Sequence, residues 1–392
     1  MEEVKKRIYL DSANTTYVNR EVLTEMMPTF NSVFGDPSAN YSYGRDAKAL
    51  VDIARKRVAK GINAEKDEIY FTSGEEEANN WAILGIARAN RKKGKHIITS
   101  KIEDESVLLA CKQLETEGFD VTYVGCDAHG VVSLSQIMHA MRQDTILVSI
   151  QVANNQVGTI QNLNAVARTV AEKDIIFHCD ASSAFGAFPL DVKVLPIDVM
   201  TLSSQKIYGP KGVGALYVKK GIDIENFILG DSTEYQKRAG ILNVSSVVGF
   251  GKAVELAVEN LSTTNRKLRG ARDYLIKGLM EKIEGVFFNG HHYQRLPHIA
   301  NLQFDCVDNQ CLATLLDFDG IAVGVCGNRK KPCKTLQAMG KNLDEVNSSI
   351  RFSIAKSVSK DDIDFVVEKI TFYVKKLREL SPLRRSSAKE GK

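Results

Sequence analysis

The apolar positions of this chain follow two rhythms. Short, nearly unbroken runs of apolar and β-branched residues occupy 68–72, 96–100, 121–124, 145–150, 175–178, 198–202 and 214–218. Between most of them apolar residues recur at helical spacing, as at Leu108, Leu109, Cys111 and Leu114, and again at Val166, Val170 and Ala171. A strand with one wet face alternates, and these do not. Such runs separated by helices predict a mainly parallel sheet covered on both faces. Downstream, 262–284 predicts one long helix with Gly285 as its stop, and 299–304 and 349–354 predict strands. Ile363, Val366, Ile370 and Val374 form the stripe of an amphipathic helix over 361–380. The pattern is therefore α/β, followed by a smaller α+β unit. A polar, basic tail at 381–392 is predicted to be disordered. No internal repeat is visible.

Composition narrows this by exclusion. A length of 392 residues allows two or three units, or one large domain with a smaller one. With 44% hydrophobic and 26% charged residues the chain is neither collagen-like nor low-complexity. The net charge of +4, from 52 basic and 48 acidic residues, is too mild to indicate direct nucleic-acid binding. No apolar run approaches the roughly 18 residues that a membrane span needs. The charged opening Met1-Glu2-Glu3-Val4-Lys5-Lys6-Arg7 lacks the apolar stretch of a signal peptide. Seven scattered cysteines without a CxxC pair fit a reducing compartment better than a disulfide framework or a metal site, so a cytoplasmic protein is expected.

Three segments could carry chemistry. Ser203-Ser204-Gln205-Lys206-Ile207-Tyr208-Gly209-Pro210 follows a predicted strand. A lysine at the carboxyl end of such a strand faces the ligand crevice and suits a Schiff base, although a surface lysine in a turn reads the same way. His178-Cys179-Asp180-Ala181 ends another predicted strand. Its aspartate could hold a pyridine nitrogen protonated, or simply cap a helix. Phe71-Thr72-Ser73-Gly74-Glu75-Glu76-Glu77 is a strand, a turn and a helix start, whose free amides suit a phosphate or merely make the turn.

Together these segments resemble a family. Tyr9-Leu10-Asp11-Ser12-Ala13-Asn14-Thr15-Thr16 resembles the YLDNAATT opening of cysteine desulfurases, the class V branch of pyridoxal-phosphate enzymes. Phe34-Gly35-Asp36-Pro37-Ser38-Ala39-Asn40, Ala153-Asn154-Asn155-Gln156-Val157-Gly158-Thr159, the Asp180 and Lys206 segments, and Ser349-Ile350-Arg351-Phe352-Ser353 follow in the family's order. The likeness runs from about residue 8 to residue 375. It implies fold type I, the aspartate-aminotransferase architecture: a large domain at 15–261 with a mainly parallel seven-stranded sheet, and a small α+β domain from 1–14 and 262–380.

The resemblance also implies roles. Lys206 would hold pyridoxal 5'-phosphate as a Schiff base and, once freed, take the substrate's α-proton. Asp180 would pair with the ring nitrogen, and Asn155 would bond the ring hydroxyl and help hold substrate. Ser203 and the amides of Gly74, Glu75 and Glu76 would bind the phosphate, with Gln205 beside the lysine. Arg351 would clamp the substrate carboxylate. A loop cysteine would take sulfur from L-cysteine as a persulfide while alanine leaves, for iron–sulfur cluster assembly or thio-modification. A homodimer and a sulfur-acceptor protein are implied as well.

The sequence departs from the pattern at several points. Asp104 stands where a ring-stacking histidine is usual, Gln205 replaces the histidine before the lysine, and Ser183 replaces a glutamine. Glu76 stands for the phosphate-binding threonine, and Ile241 for the threonine that would reach the partner's phosphate. A carboxylate about 5 Å from the phosphate would repel it by roughly 3 kcal/mol per unit charge at an effective dielectric near 20. Glu75 and Glu76 would then either turn outward or fill the phosphate site themselves. The cysteine loop reads Gly324-Val325-Cys326-Gly327-Asn328-Arg329-Lys330-Lys331-Pro332-Cys333. Ungapped, the family's cysteine falls on Arg329, with Cys326 three residues earlier as the expected nucleophile and Cys333 four later. Two other readings stay open: a diverged pyridoxal-phosphate enzyme such as a C–S lyase or aminotransferase acting on a related amino acid, and a degenerate paralogue serving as subunit or scaffold.

Overall fold

The structure, a computed structural model, describes residues 6–231 and 233–380. The charged opening at 1–5 and the predicted tail at 381–392 lie outside the described residues. The chain enters through a short strand, β1 (Ile8–Leu10). It then builds a sheet from β2 (Ile69–Thr72), β3 (His96–Ser100), β4 (Asp120–Val124), β5 (Thr145–Ser149), β6 (Ile176–Asp180), β7 (Val199–Ser203) and β8 (Gly214–Val218). The order across this seven-stranded sheet is β2-β8-β7-β6-β5-β3-β4. Every contact from β7 to β4 is parallel, and β8 runs antiparallel to both of its neighbours.

Chain length explains β8. A parallel return needs a crossover of roughly a dozen or more residues. Only 204–213 separates β7 from β8, and Gly209, Pro210 and Gly212 make it a turn. Lys206 sits in that turn. Gly214 opens β8 in close contact with the Gly74 turn, where an added Cβ would lie 2.8 Å from the Gly74 carbonyl carbon. The two chain reversals are thereby held against each other.

Both faces of the sheet are covered, as the unbroken apolar runs require. The helices Ser42–Gly61 and Val244–Glu259 bury Val51, Val58, Phe250 and Val254 on one side. Trp81, Ile83, Ile86 and Leu114 fill the other. Two smaller sheets follow: a parallel pair of β11 (Ile321–Val323) with β1, and a three-stranded antiparallel sheet in which β10 (Ile299–Phe304) lies between β9 (Val286–Asn289) and β12 (Ser349–Ser353). The helices Leu261–Lys282 and Lys360–Leu380 cover the latter with Leu275, Leu279, Ile370 and Val374. Leu10, from the start of the chain, is buried in this same cluster.

The sequence does not predict β1 and β11, which at three residues each are too short to show a period. Isolated bridges join Asp11 to Ser353 and Gly324 to Arg351. They bring the chain's beginning and its cysteine loop onto β12.

Candidate active site

The Lys206 side chain is 9% exposed, and its ammonium is engaged. Nζ lies 2.8 Å from Glu75 Oε1 and donates to Ser182 Oγ and Ser183 Oγ, each at 3.4 Å. Burial favours the neutral amine, but Glu75, Asp180 and Asp104 together outweigh it and raise the pKa above the ordinary lysine value. The amine is held as a cation.

Asp180 ends β6, one strand from the Lys206 turn, and is buried. It accepts from Asn79 Nδ2 at 3.0 Å and from the Ser182 N–H at 2.8 Å. Burial and Asp104 push its pKa up, against the pull of Lys206. Asp104, at the expected ring-face position, caps the helix Glu105–Thr116 by accepting from the Ser106 N–H at 2.9 Å and Ser106 Oγ at 2.7 Å. Beside it Glu103 is wholly buried, and that burial raises its pKa to about 8.

The start of the helix Glu75–Asn80 corrects one expectation. Glu76, the residue expected to oppose a phosphate, is exposed to solvent. Glu75 is the one that turns inward, onto Lys206, and its second oxygen is buried without a hydrogen-bond partner. Glu77 is pinned by Arg238, at 2.8 and 3.1 Å, and accepts from the Ser73 N–H at 2.8 Å. A cavity of about 220 Å³ lies among Gly74, Glu75, Glu76, Glu77, Ser203 and Gln205.

Arg351 lies on β12, 3% exposed, with Nη2 donating to Asp11 Oδ1 at 2.7 Å. Its Nη1 donates to the Asn155 carbonyl at 3.1 Å and to Gln156 Oε1 at 3.3 Å. Nε is buried without a partner, against Gly324. Asn155 is therefore joined to Arg351 through its backbone, and its half-buried side chain stays available. His298 is half-buried between the two halves of the site, and desolvation, then Arg272, Arg351 and Lys206, lower its pKa to about 4.

Cys326 departs from expectation. It is bonded to Cys333, with the two Cα atoms 5.1 Å apart, and is not a free thiol. The reason is local: the segment turns back between Gly327 and Pro332, which pair across the turn and carry the flanking cysteines together. The pair packs beside Val157, Leu336 and Met339. Arg329, Lys330 and Lys331 form its exposed tip. Among the described residues no group of three or more His, Cys, Asp or Glu could hold a metal, and no helix is long and apolar enough to cross a membrane.

Residues 8–366 match the aminotransferase class-V family model. The cysteine desulfurase IscS of Clostridium botulinum strain Hall is 44% identical over 386 residues, which cover 97% of each chain. The chain belongs to the cysteine desulfurase family. The cysteine desulfurase IscS of Methanosarcina thermophila is likewise 44% identical, over 96% of this chain and 94% of that relative. A solved NifS-like protein superposes with a TM-score of 0.90 at 34% identity, covering 94% of this chain and all 100% of its own. SspA, solved in complex with cysteine, gives a TM-score of 0.79 at 30% identity, over 89% and 99% of the two chains. Cysteine desulfurases are class-V aminotransferases that use pyridoxal 5'-phosphate, so the family, fold type and cofactor expected from the sequence are borne out.

Sequence reasoning missed the partners of the expected residues. Asn79 and Glu103 were passed over, and Asp11 was read only as part of the opening motif. Each acts through burial or a long-range contact that spacing does not reveal.

Proposed function

We propose that this chain is a pyridoxal-phosphate-dependent cysteine desulfurase. It takes sulfur from L-cysteine as an enzyme persulfide, releases alanine, and passes the sulfur to an acceptor protein for cluster assembly or thio-modification. The observation that carries the reading is the buried Lys206 amine beside Asp180 at the carboxyl ends of β6 and β7.

The residues around Lys206 would take the cofactor's ring and aldehyde ends. Lys206 would hold the aldehyde, Asp180 the ring nitrogen and Asn155 the ring hydroxyl. Ser203 and the amides at Gly74, Glu75 and Glu76 would hold the phosphate once the Glu75 carboxylate has turned away. When bound, pyridoxal phosphate supplies an electron sink for bonds at the α-carbon. The chain's own work is positioning and proton handling. Arg351, held by Asp11 and the Asn155 carbonyl, keeps Nε unpartnered and would turn its planar donors to an α-carboxylate. Lys206 has to release a proton from Nζ before it acts as nucleophile or base, and Glu75 Oε1 at 2.8 Å is an acceptor in contact with it.

The test is spectroscopic. Purified protein mixed with pyridoxal phosphate develops visible absorption that L-cysteine changes, alanine forms, and borohydride fixes the cofactor on Lys206; Lys206→Ala does none of these. A second reading, a non-catalytic subunit, is favoured only by the Lys206–Glu75 pair, and it predicts no adduct and no alanine.

Gly324 offers a separate check. A Cβ there would lie 2.7 Å from both Arg351 Nε and Asp11 Oδ1. Gly324→Ala is therefore expected to displace the guanidinium and raise KM for L-cysteine about tenfold or more, with kcat much less affected. An unchanged KM would take Arg351 out of substrate binding.

The proposed homodimer has apolar surface to use. Phe30, Phe34, Tyr41 and Tyr43 are exposed, as are Leu229 and Ile241. Sedimentation of the purified chain tests it.

A further inference from the structure

The phosphate end of the proposed cofactor site carries the wrong sign of charge. The described residues lining its cavity include three carboxylates and no lysine or arginine. Arg238 is committed to Glu77 by two hydrogen bonds at 2.8 and 3.1 Å. Asp180 and Asp104 also act electrostatically on Lys206 and add to the negative surroundings. Glu75 meets the Lys206 ammonium at 2.8 Å, while its other oxygen is buried and unpartnered. A buried carboxylate oxygen without a donor is costly and marks a group held there by its charge partner.

We propose that Glu75 is an internal counter-ion that competes for this site: it holds Lys206 and opposes the cofactor's phosphate, so that the chain discriminates poorly between pyridoxal 5'-phosphate and unphosphorylated pyridoxal. The inference rests on the reading of Lys206 as the cofactor's anchor. Two separate penalties follow from one side chain. Any aldehyde that reacts with Lys206 has to break the Glu75 ion pair. Only the phosphorylated aldehyde also brings a dianion against the Glu75 carboxylate, which must then be displaced, and that repulsion is worth about tenfold or more in affinity. Glu76, solvent-exposed, contributes less.

The experiment measures dissociation constants for pyridoxal phosphate and for pyridoxal, from the visible absorbance of the bound aldehyde, in the unmodified chain, Glu75→Gln and Glu75→Ala. Borohydride fixation and peptide mapping report whether Lys206 carries the adduct, and a thermal melt confirms that each variant folds. Both substitutions are expected to tighten pyridoxal phosphate, by a factor at least about tenfold larger than the factor for pyridoxal. Glu75→Gln keeps the size of the side chain and isolates the charge. Equal gains for the two aldehydes, or no gain, with the adduct still on Lys206, overturn the counter-ion role and leave the cofactor site standing. Absence of an adduct in every variant with either aldehyde overturns both.

Discussion

Purified without reductant and given L-cysteine, the protein is expected to carry no persulfide, and after treatment with a dithiol it is expected to carry one on Cys326. The argument is the Cys326–Cys333 bond. A desulfurase needs a thiolate that attacks the substrate's sulfur: a new S–S bond forms, the Cβ–S bond of cysteine breaks, and the carbon skeleton leaves as alanine after protonation. A disulfide sulfur has no such electron pair to give. Reduction by a dithiol supplies the two electrons and two protons and leaves both cysteines as thiols. Cys326 is then half-buried, beside a tip carrying Arg329, Lys330 and Lys331, and such a setting favours thiolate. Cys333 is 3% exposed within an apolar cluster, where desolvation favours the neutral thiol. On that asymmetry Cys326 is the expected acceptor. Cys333→Ser should therefore form the persulfide without any reductant, and Cys326→Ser should form none under either condition, as read by intact mass and alanine release. Persulfide in the unreduced protein, or full alanine release from reduced Cys326→Ser, would remove Cys326 from the chemistry.

The contrast between what the sequence showed and what it hid follows the range of each interaction. The Lys206 turn and the Asp180 strand end were legible because each is written in consecutive residues: an unbroken apolar strand, then polar residues or glycine at its carboxyl end. Adjacent strands of a parallel sheet then bring the two ends together. Which of two neighbouring glutamates faces inward was not legible. Consecutive helical side chains point about 100° apart, and which one faces Lys206 depends on long-range contacts of the helix: Gly214 against the Gly74 turn, Arg238 on Glu77 and Asp180 on Asn79. The partner of Arg351 was hidden by distance along the chain, since Asp11 lies 340 positions away. The cysteine pair had a signal that went unused. Gly327, with φ of 75°, and Asn328, which accepts from the Lys330 and Lys331 N–H groups, spell a tight reversal between the two cysteines.

A narrow, mildly acidic stability maximum is the other large effect expected, and it comes from groups buried for the architecture of the site. His178 lies between Ser149 Oγ at 2.8 Å and Thr201 Oγ1 at 3.1 Å, and burial depresses its pKa from 6.5 to about 3. As pH falls below 6.5 the unfolded chain takes up a proton that the folded chain refuses, so stability is lost on the acid side until about pH 3. At about 1.4 kcal/mol per unit this is roughly 5 kcal/mol, and His298 acts in the same direction. Glu103 works on the other side. Ser100 Oγ lies 2.5 Å from its Oε1 and the Gln151 N–H donates to Oε2 at 2.8 Å, yet burial raises its pKa from 4.5 to about 8. Between those values the unfolded chain sheds a proton that the folded chain keeps, so stability falls as pH rises, by about 5 kcal/mol in all. The two slopes cross between about 4.5 and 6.5, where melting temperature should peak. Effects of this size rival the whole stability of a domain, about 5–15 kcal/mol. Glu103→Gln keeps a neutral hydrogen-bonding group in place, and it should flatten the alkaline slope while leaving the acid one intact. A Tm that is flat from pH 5 to pH 8 in both proteins would mean that Glu103 is ionised in the fold, with its charge carried by Ser100 and the Gln151 amide.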